Sequence, residues 1–425
     1  MKLSLSAKFN SVILLFVFAI FFLPYDSLPF FNYSVYSPSS VVFIVPALIL
    51  HLITKPKIHK INLCFLLFFF ISALHSLLSG YIYHDLYTSV KHIVTLLVML
   101  SSFLVAEYAF TFKEHYKTYT QAFIGAFALS LLVGCLQLLN QFNLQIGFIR
   151  WFTSLFVTRL YDVRIQMLSG EPSWAVLHLL VLIPFLYYSN YRSRFKDYST
   201  AIAILLFLLA FSSYGYAVVL LSFVLFVLLC GKLDHIFKYL LYILFFSFTS
   251  IMVVNAFIQC FGINDYYAHR FSLDFYLNNN ILENDGSVFV RLVFPYIGVL
   301  EFLDFPFGYG GGFYYLKAGE YLSEFFSYGL NYDEVYYYFI NNSMKPMCLY
   351  AKLLAEEGIF AILIFYFFYS ILKKCVSKRE KYLWCLAMAL NFNFASYACV
   401  DFWILLGALS GGFFREENIG GEIYD

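Results

Sequence analysis

Along this chain the apolar residues are gathered into long blocks, and polar and charged positions are confined to the breaks between them. A helix that crosses a bilayer needs about 20 predominantly apolar residues, with a working range of about 17–25. Measured that way, the blocks predict twelve transmembrane helices, at 8–24, 39–54, 62–79, 89–110, 119–140, 173–190, 200–212, 214–231, 239–258, 346–372, 382–397 and 399–414. The stretch from 200 to 231 is broken only at Ser212-Ser213-Tyr214-Gly215, and it is divided there into two short spans. A single span would move every later loop to the opposite side and erase the charge bias that sets orientation.

That bias lies in lysine and arginine, which short cytoplasmic loops retain. With the amino terminus inside, the inner segments carry Lys2 and Lys8, then Lys55, Lys57 and Lys60, then Lys113 and Lys117, then Arg192, Arg194 and Lys196, and then Lys232 and Lys238. Lys373, Lys374, Lys378, Arg379, Lys381 and Arg415 complete the set. The short outer loops near Asp26 and Asp85 hold no basic residue before Lys91.

The resulting organisation is 1–140 for the first five helices, 141–172 for a first outer loop and 173–258 for helices six to nine. A large outer loop follows at 259–345, then the last three helices and a cytoplasmic tail at 346–425. Both termini face the cytoplasm, and the first block is read as a retained span because no small-residue cleavage site follows it. A structureless loop of the second length is unusual, so partial helix packed on the membrane face is expected, including a short interfacial helix at 288–302.

Composition agrees: 62% of residues are apolar, 12% are charged, and the mean hydropathy is +0.75. A net charge of +1 argues against nucleic acid as a partner, because phosphate-backbone binding needs a clustered basic face. The eight cysteines stand singly, and no cysteine or histidine spacing suggests a metal site, so no metal and no cofactor are expected.

Against the general bias, five arginines (Arg150, Arg159, Arg164, Arg270 and Arg291) fall in the two large outer loops. Arg159 and Arg164 precede Gly170-Glu171-Pro172, and the proline can open the helix at 173 while Gly170 permits close backbone approach. A helix amino terminus attracts anions, so a phosphate held there by two arginine forks is physically natural. The plainer alternative pairs these arginines with Asp162 and lipid headgroups. Glu171 is either a first-turn acid that complements the helix dipole or a base that accepts a hydroxyl proton.

A second group joins Gly286-Ser287 and Arg291 to a glycine-rich segment, Pro306-Phe307-Gly308-Tyr309-Gly310-Gly311-Gly312. Arg291 is the informative residue there, since ordinary turn chemistry accounts for the glycines. Lys352 and Glu356 stand one helical turn apart and are read as a structural pair. His84, His178 and His269 are read as hydrogen-bonded packing residues. The run Tyr336-Tyr337-Tyr338-Phe339 can stack on sugar faces, with Tyr337 as a candidate substrate contact, or can seat its loop among headgroups.

Taken in order, four motifs carry a resemblance: Arg159-x10-Gly170 running into Gly170-Glu171-Pro172-Ser173, Gly286-Ser287-x-x-x-Arg291, Pro306-Phe307-Gly308-x-Gly310, and Glu357-Gly358-Ile359. Over 150–372 the chain resembles bacterial O-antigen and capsular repeat-unit polymerases, whose superfamily also includes O-antigen ligases. The resemblance implies an all-α, polytopic, GT-C-type glycosyltransferase of the inner membrane, with its active site facing the periplasm. Such an enzyme transfers a growing glycan from undecaprenyl diphosphate to the next lipid-linked repeat unit. Arg159, Arg164 and Arg291 would bind the diphosphate.

The partners implied are lipid-linked oligosaccharides, membrane lipids and a chain-length regulator. The ligase branch places a functional histidine late in its large loop, where this chain reads Asn341-Asn342-Ser343. A transporter or flippase is the other alternative, disfavoured because the arginines sit in outer loops and the two halves look unrelated. Because a lipid-linked sugar diphosphate is already activated, arginines can stabilise its departure without a divalent metal.

Overall fold

The structure is a computed structural model that describes residues 5–30, 36–54, 60–141, 147–161, 164–210, 212–231 and 286–415. Helices and turns account for it, with no strand among the described residues. In chain order the helices are α1 (Leu5–Phe21), α2 (Val41–Ile53), α3 (Lys60–Ile82), α4 (Leu86–Ala109), α5 (Tyr116–Gln141), α6 (Gly147–Ser154), α7 (Pro172–Tyr187), α8 (Arg194–Leu209) and α9 (Ser213–Cys230). They continue as α10 (Gly286–Asp304), α11 (Tyr315–Phe325), α12 (Asp333–Ile340), α13 (Leu349–Lys374), α14 (Lys378–Leu390) and α15 (Val400–Gly411). The predicted span at 239–258, together with Asp162, His269 and Arg270, lies outside the described residues.

Each of the other eleven apolar blocks has a helix, and the division at 212 is real: Ser212 caps α9, accepting from the Gly215 amide at 3.4 Å. Length and composition qualify six described helices to cross a membrane, namely Lys60–Ile82, Leu86–Ala109, Lys113–Leu139, Ser213–Cys230, Gly286–Asp304 and Leu349–Lys374. Shorter apolar helices accompany them, and α3 shows why the assembly belongs in lipid. Leu63, Leu67, Phe70, Leu74 and Leu78 form an exposed stripe at helical spacing, while Phe65, Phe68, Ser72, Ser76 and Ser79 face inward. An apolar surface of this kind marks contact with a membrane. The chain is thus an all-helical, membrane-embedded protein.

The centre of the bundle is formed by α4, α7 and α15. Every residue of α15 from Val400 to Ser410 is buried, and so is nearly all of α7. Glycines set the closest approach: a Cβ at Gly407 would lie 2.6 Å from the Ala106 Cβ, and one at Gly411 would lie 2.7 Å from the Glu107 carbonyl oxygen. Small residues at such crossings let backbones pack without a large-residue wedge. Around them Phe65 stacks on Phe367 at 4.3 Å, and Phe103 meets Phe367 edge-on at 4.8 Å.

The described part of the large loop has its own apolar core, in which Phe289, Phe294 and Ile297 of α10 meet Tyr314, Leu322 and Val335. α10 is long and apolar enough to cross a membrane, and a Cβ at its Gly298 would lie 3.1 Å from the Ala351 carbonyl oxygen of α13. Phe110 after α4 stacks on Phe185 near the end of α7, so the beginnings of α4 and α7 share the opposite face. Arg291 in the first turns of α10 acts on Glu171 before α7, and the segment after α10 packs on Thr88 and His92 of α4.

Candidate functional site

The loop 159–171 is held by side chains rather than by regular structure. Gln166 ties its two ends together: its Nε2 donates to the Arg159 and Ser169 carbonyls, each at 3.1 Å, and its Oε1 accepts from the Tyr161 amide at 2.6 Å. Gln137 of α5 then accepts from the Gln166 and Met167 amides at 3.1 and 2.8 Å. Met167 adopts φ +55°, a left-handed conformation that a side chain of its size tolerates only when its surroundings enforce it.

The end of the loop is fastened from below. The Asp26 carboxylate accepts from the Gly170 amide at 2.7 Å and from the Ser169 hydroxyl at 2.5 Å. Its Oδ2 also meets His178 Nε2 at 2.9 Å, and His178 Nδ1 meets Asp401 Oδ1 at the same distance. All three side chains are buried. One imidazole between two carboxylates therefore connects the loop after α1, the site loop, α7 and α15. His178 is the hydrogen-bonded packing residue that its sequence context suggested, with partners that no local pattern reveals.

Gly170 sits where the close approach is tightest. A Cβ there would fall 2.7 Å from the Ser27 Cβ and 2.8 Å from the Trp174 ring. Gly170→Ala is expected to destabilise the purified protein by about 1–3 kcal/mol through overpacking, read as a lower thermal midpoint. Pro172 stands in the first turn of α7, as predicted, and Glu171 occupies the position before it.

Four sequence-predicted residues meet here. Burial pushes the Glu171 carboxyl above its ordinary value of 4.5, against the opposing pull of Arg159, a hydrogen bond from Ser173 and the charge of Arg291, while Glu334 raises it further. Burial likewise raises the Tyr161 hydroxyl, with Glu171 adding to the rise and Arg159 and Arg164 opposing it. Arg159 and Arg291 thus both act on the Glu171 carboxylate, although Arg291 is more than a hundred residues away along the chain, while Arg164 acts on the neighbouring Tyr161. The Arg159 guanidinium lies over the Tyr161 ring at 5.0 Å, and Arg291 Nη1 donates to the Ser287 hydroxyl. A pocket beside the loop is lined by Gln137, Arg150, Thr153, Leu160, Tyr161 and Gln166.

The tyrosine run contributes differently from expectation. Tyr337 is 63% exposed on α12, whereas Tyr338 responds to Glu334, Glu171 and Arg159 and donates to Glu334 Oε1 at 3.3 Å. Sequence reasoning singled out neither Glu334 nor Tyr161. The glycine-rich segment packs on α3, α4 and α13, where Cβ atoms at Gly310, Gly311 and Gly308 would meet Ser79, His92 and Glu356. The Tyr309 and Gly310 amides donate to the Ala355 and Glu356 carbonyls at 3.0 and 2.8 Å, and the Ile359 amide donates to the Pro306 carbonyl at 2.8 Å. Gly308, Gly310 and Gly312 have φ of +77°, +89° and +90°, which is the turn chemistry expected of them.

Fold and site together define a helical, membrane-embedded protein in which Arg159 and Arg291 act on the half-buried Glu171 carboxylate. Compared with known proteins, the chain matches no family model, no curated protein and no solved structure.

Proposed function

We propose that this protein is a polysaccharide repeat-unit polymerase of the bacterial inner membrane, with twelve spans, a GT-C-type architecture and its Arg159, Arg164 and Arg291 facing the periplasm. It transfers a growing glycan from undecaprenyl diphosphate to the next lipid-linked unit. The observation that carries this reading is the convergence of Arg159 and Arg291 on Glu171 from loops far apart in sequence.

In the proposed reaction an acceptor hydroxyl oxygen attacks the anomeric carbon of the donor sugar. The bond from that carbon to the diphosphate oxygen breaks, and undecaprenyl diphosphate leaves with both bonding electrons. Guanidinium groups held in place stabilise the charge that develops on it. The hydroxyl proton passes to Glu171, which must be ionised to receive it.

The acidic limb of the rate profile should therefore lie above the ordinary carboxylate range. Arg159→Ala removes a charge that holds the Glu171 proton affinity down, so the limb should move to higher pH, and Glu171→Gln should abolish it together with most of the rate. Initial rates of chain extension measured across the acidic range check both shifts.

A strain lacking the gene tests the assignment. Single lipid-linked repeat units should accumulate on the outer leaflet while single units still reach lipid A core. Accumulation on the inner leaflet would instead indicate a flippase, and core without even one unit would indicate a ligase.

A further inference from the structure

A second buried polar group lies below the turn between α3 and α4, and the transfer reaction makes no use of it. His92 of α4 faces two successive acids of α13: its Nε2 is 3.3 Å from Glu357 Oε1 and its Nδ1 is 3.9 Å from Glu356 Oε2. Ser72 of α3 donates to Glu357 Oε1 at 2.5 Å, and His75 Nδ1 stands 3.9 Å from Glu357 Oε2. One nitrogen and two carboxylate oxygens lie within 4.8 Å of one another, and all three residues are buried.

Successive side chains of a regular α-helix diverge and do not readily converge on one point. Here residues Leu353–Glu357 form a π-helical turn, a local widening found at functional sites, and Gly358 with φ +57° ends it. The glycine-rich segment closes the group: a Cβ at Gly311 would lie 2.0 Å from His92 Nε2.

The charges do not balance by themselves. Among the described residues, Glu356 Oε2 and Glu357 Oε2 have no hydrogen-bond partner. Glu301 of α10 is 0% exposed, neither of its carboxylate oxygens has a partner among the described residues, and its charge acts on Glu356. Against three carboxylates stand two lysines, Lys352, at 3.8 Å from Glu356 Oε2 and over the Tyr397 ring, and Lys345, whose charge also acts on Glu356. Buried charges of one sign need a counter-charge or a metal.

We propose that His92, Glu356 and Glu357 bind a divalent transition-metal cation, such as Mn2+ or Zn2+, which Glu301 helps to balance and which pins α4, α13 and the glycine-rich segment together. The imidazole donor favours this class over Mg2+ or Ca2+, which take all-oxygen shells. An ion with bonds of about 2.0–2.2 Å holds neighbouring donors roughly 3–4 Å apart, so a small inward movement of the two carboxylates completes the shell. The site shares no residue with the Arg159, Arg291 and Glu171 group and does not depend on the transferase reading.

The test uses full-length protein in lipid nanodiscs, stripped with a chelator and titrated with Mn2+ and with Zn2+. One equivalent of metal should bind, the thermal midpoint should rise with metal concentration, and pulsed EPR of the Mn2+ form should show coupling to an imidazole nitrogen. Glu356→Gln and His92→Ala should each weaken binding by roughly 100-fold or more. Wild-type protein that takes up no stoichiometric metal, or Mn2+ bound without nitrogen coupling, would overturn the proposal. So would unchanged affinity in either variant. Because the wild-type measurements stand by themselves, a variant that fails to fold leaves the question decided.

Discussion

Cells in which Arg291 is replaced by alanine should make the single lipid-linked repeat unit and no long-chain polysaccharide. Arg291 belongs to the first turns of α10, where its donation to Ser287 and the packing of Phe289 and Val290 beside it fix its approach to Glu171. Removing one prepositioned donor from a developing anion slows a reaction about 10²–10³-fold, or about 2.7–4 kcal/mol of barrier. At that rate a chain of many units is not completed, and the electrophoretic ladder collapses to its lowest band. Arg291→Lys keeps the charge without the two-pronged donor geometry, so it should restore short ladders only. Arg159→Ala and Arg164→Ala should act in the same direction. Arg159 is the more exposed of the two, so solvent screens it more in the absence of substrate. Ladders of normal length in all three alanine variants would contradict the assignment.

The second large effect concerns stability. His178→Ala leaves Asp26 and Asp401 buried with no donor between them, and breaking a buried ionic network in this way costs about 3–5 kcal/mol. Asp26 also holds the Gly170 amide and the Ser169 hydroxyl, so the loop that presents Arg159 and Glu171 loses its seat along with the core contact. The purified variant should melt well below wild type and lose chain extension. Asp401→Asn keeps an acceptor beside His178 and should be milder. A His178→Ala protein with the wild-type midpoint would mean that the network carries no stability.

Much of the helical framework was legible because each span is a local property. Apolar length found the helices, and the polar interruption at Ser212 to Gly215 fixed the division between α8 and α9. Pro172 marked the start of α7, and Gly170 marked a close approach that Ser27 and Trp174 make concrete. The arginines stood out because their charge ran against the prevailing bias.

What stayed hidden depends on contacts between distant parts of the chain. Asp26 stands in a short outer loop and Asp401 inside the last apolar block, and only the fold brings them to either side of His178. An acid inside an apolar segment is costly and so invites a search for its partner; Asp401 offered that signal. Lys352 and Glu356 were legible as a pair one turn apart, and they are one at 3.8 Å. The π-helical turn that also draws Glu357 toward His92 has no mark in the spacing. Tyr338 was inseparable from its neighbours in the run Tyr336 to Phe339 until α12 set which side faces Glu171.

The central claim is that the outer arginines stabilise a departing lipid diphosphate. Its most direct test incubates purified protein in nanodiscs with a synthetic undecaprenyl-diphosphate-linked repeat unit and follows product length and released lipid together. The account predicts a ladder of products, one undecaprenyl diphosphate released for each glycosidic bond formed, and neither with Arg291→Ala. Extension by the Arg291→Ala protein at the wild-type rate, or no extension by the folded wild type, would contradict it.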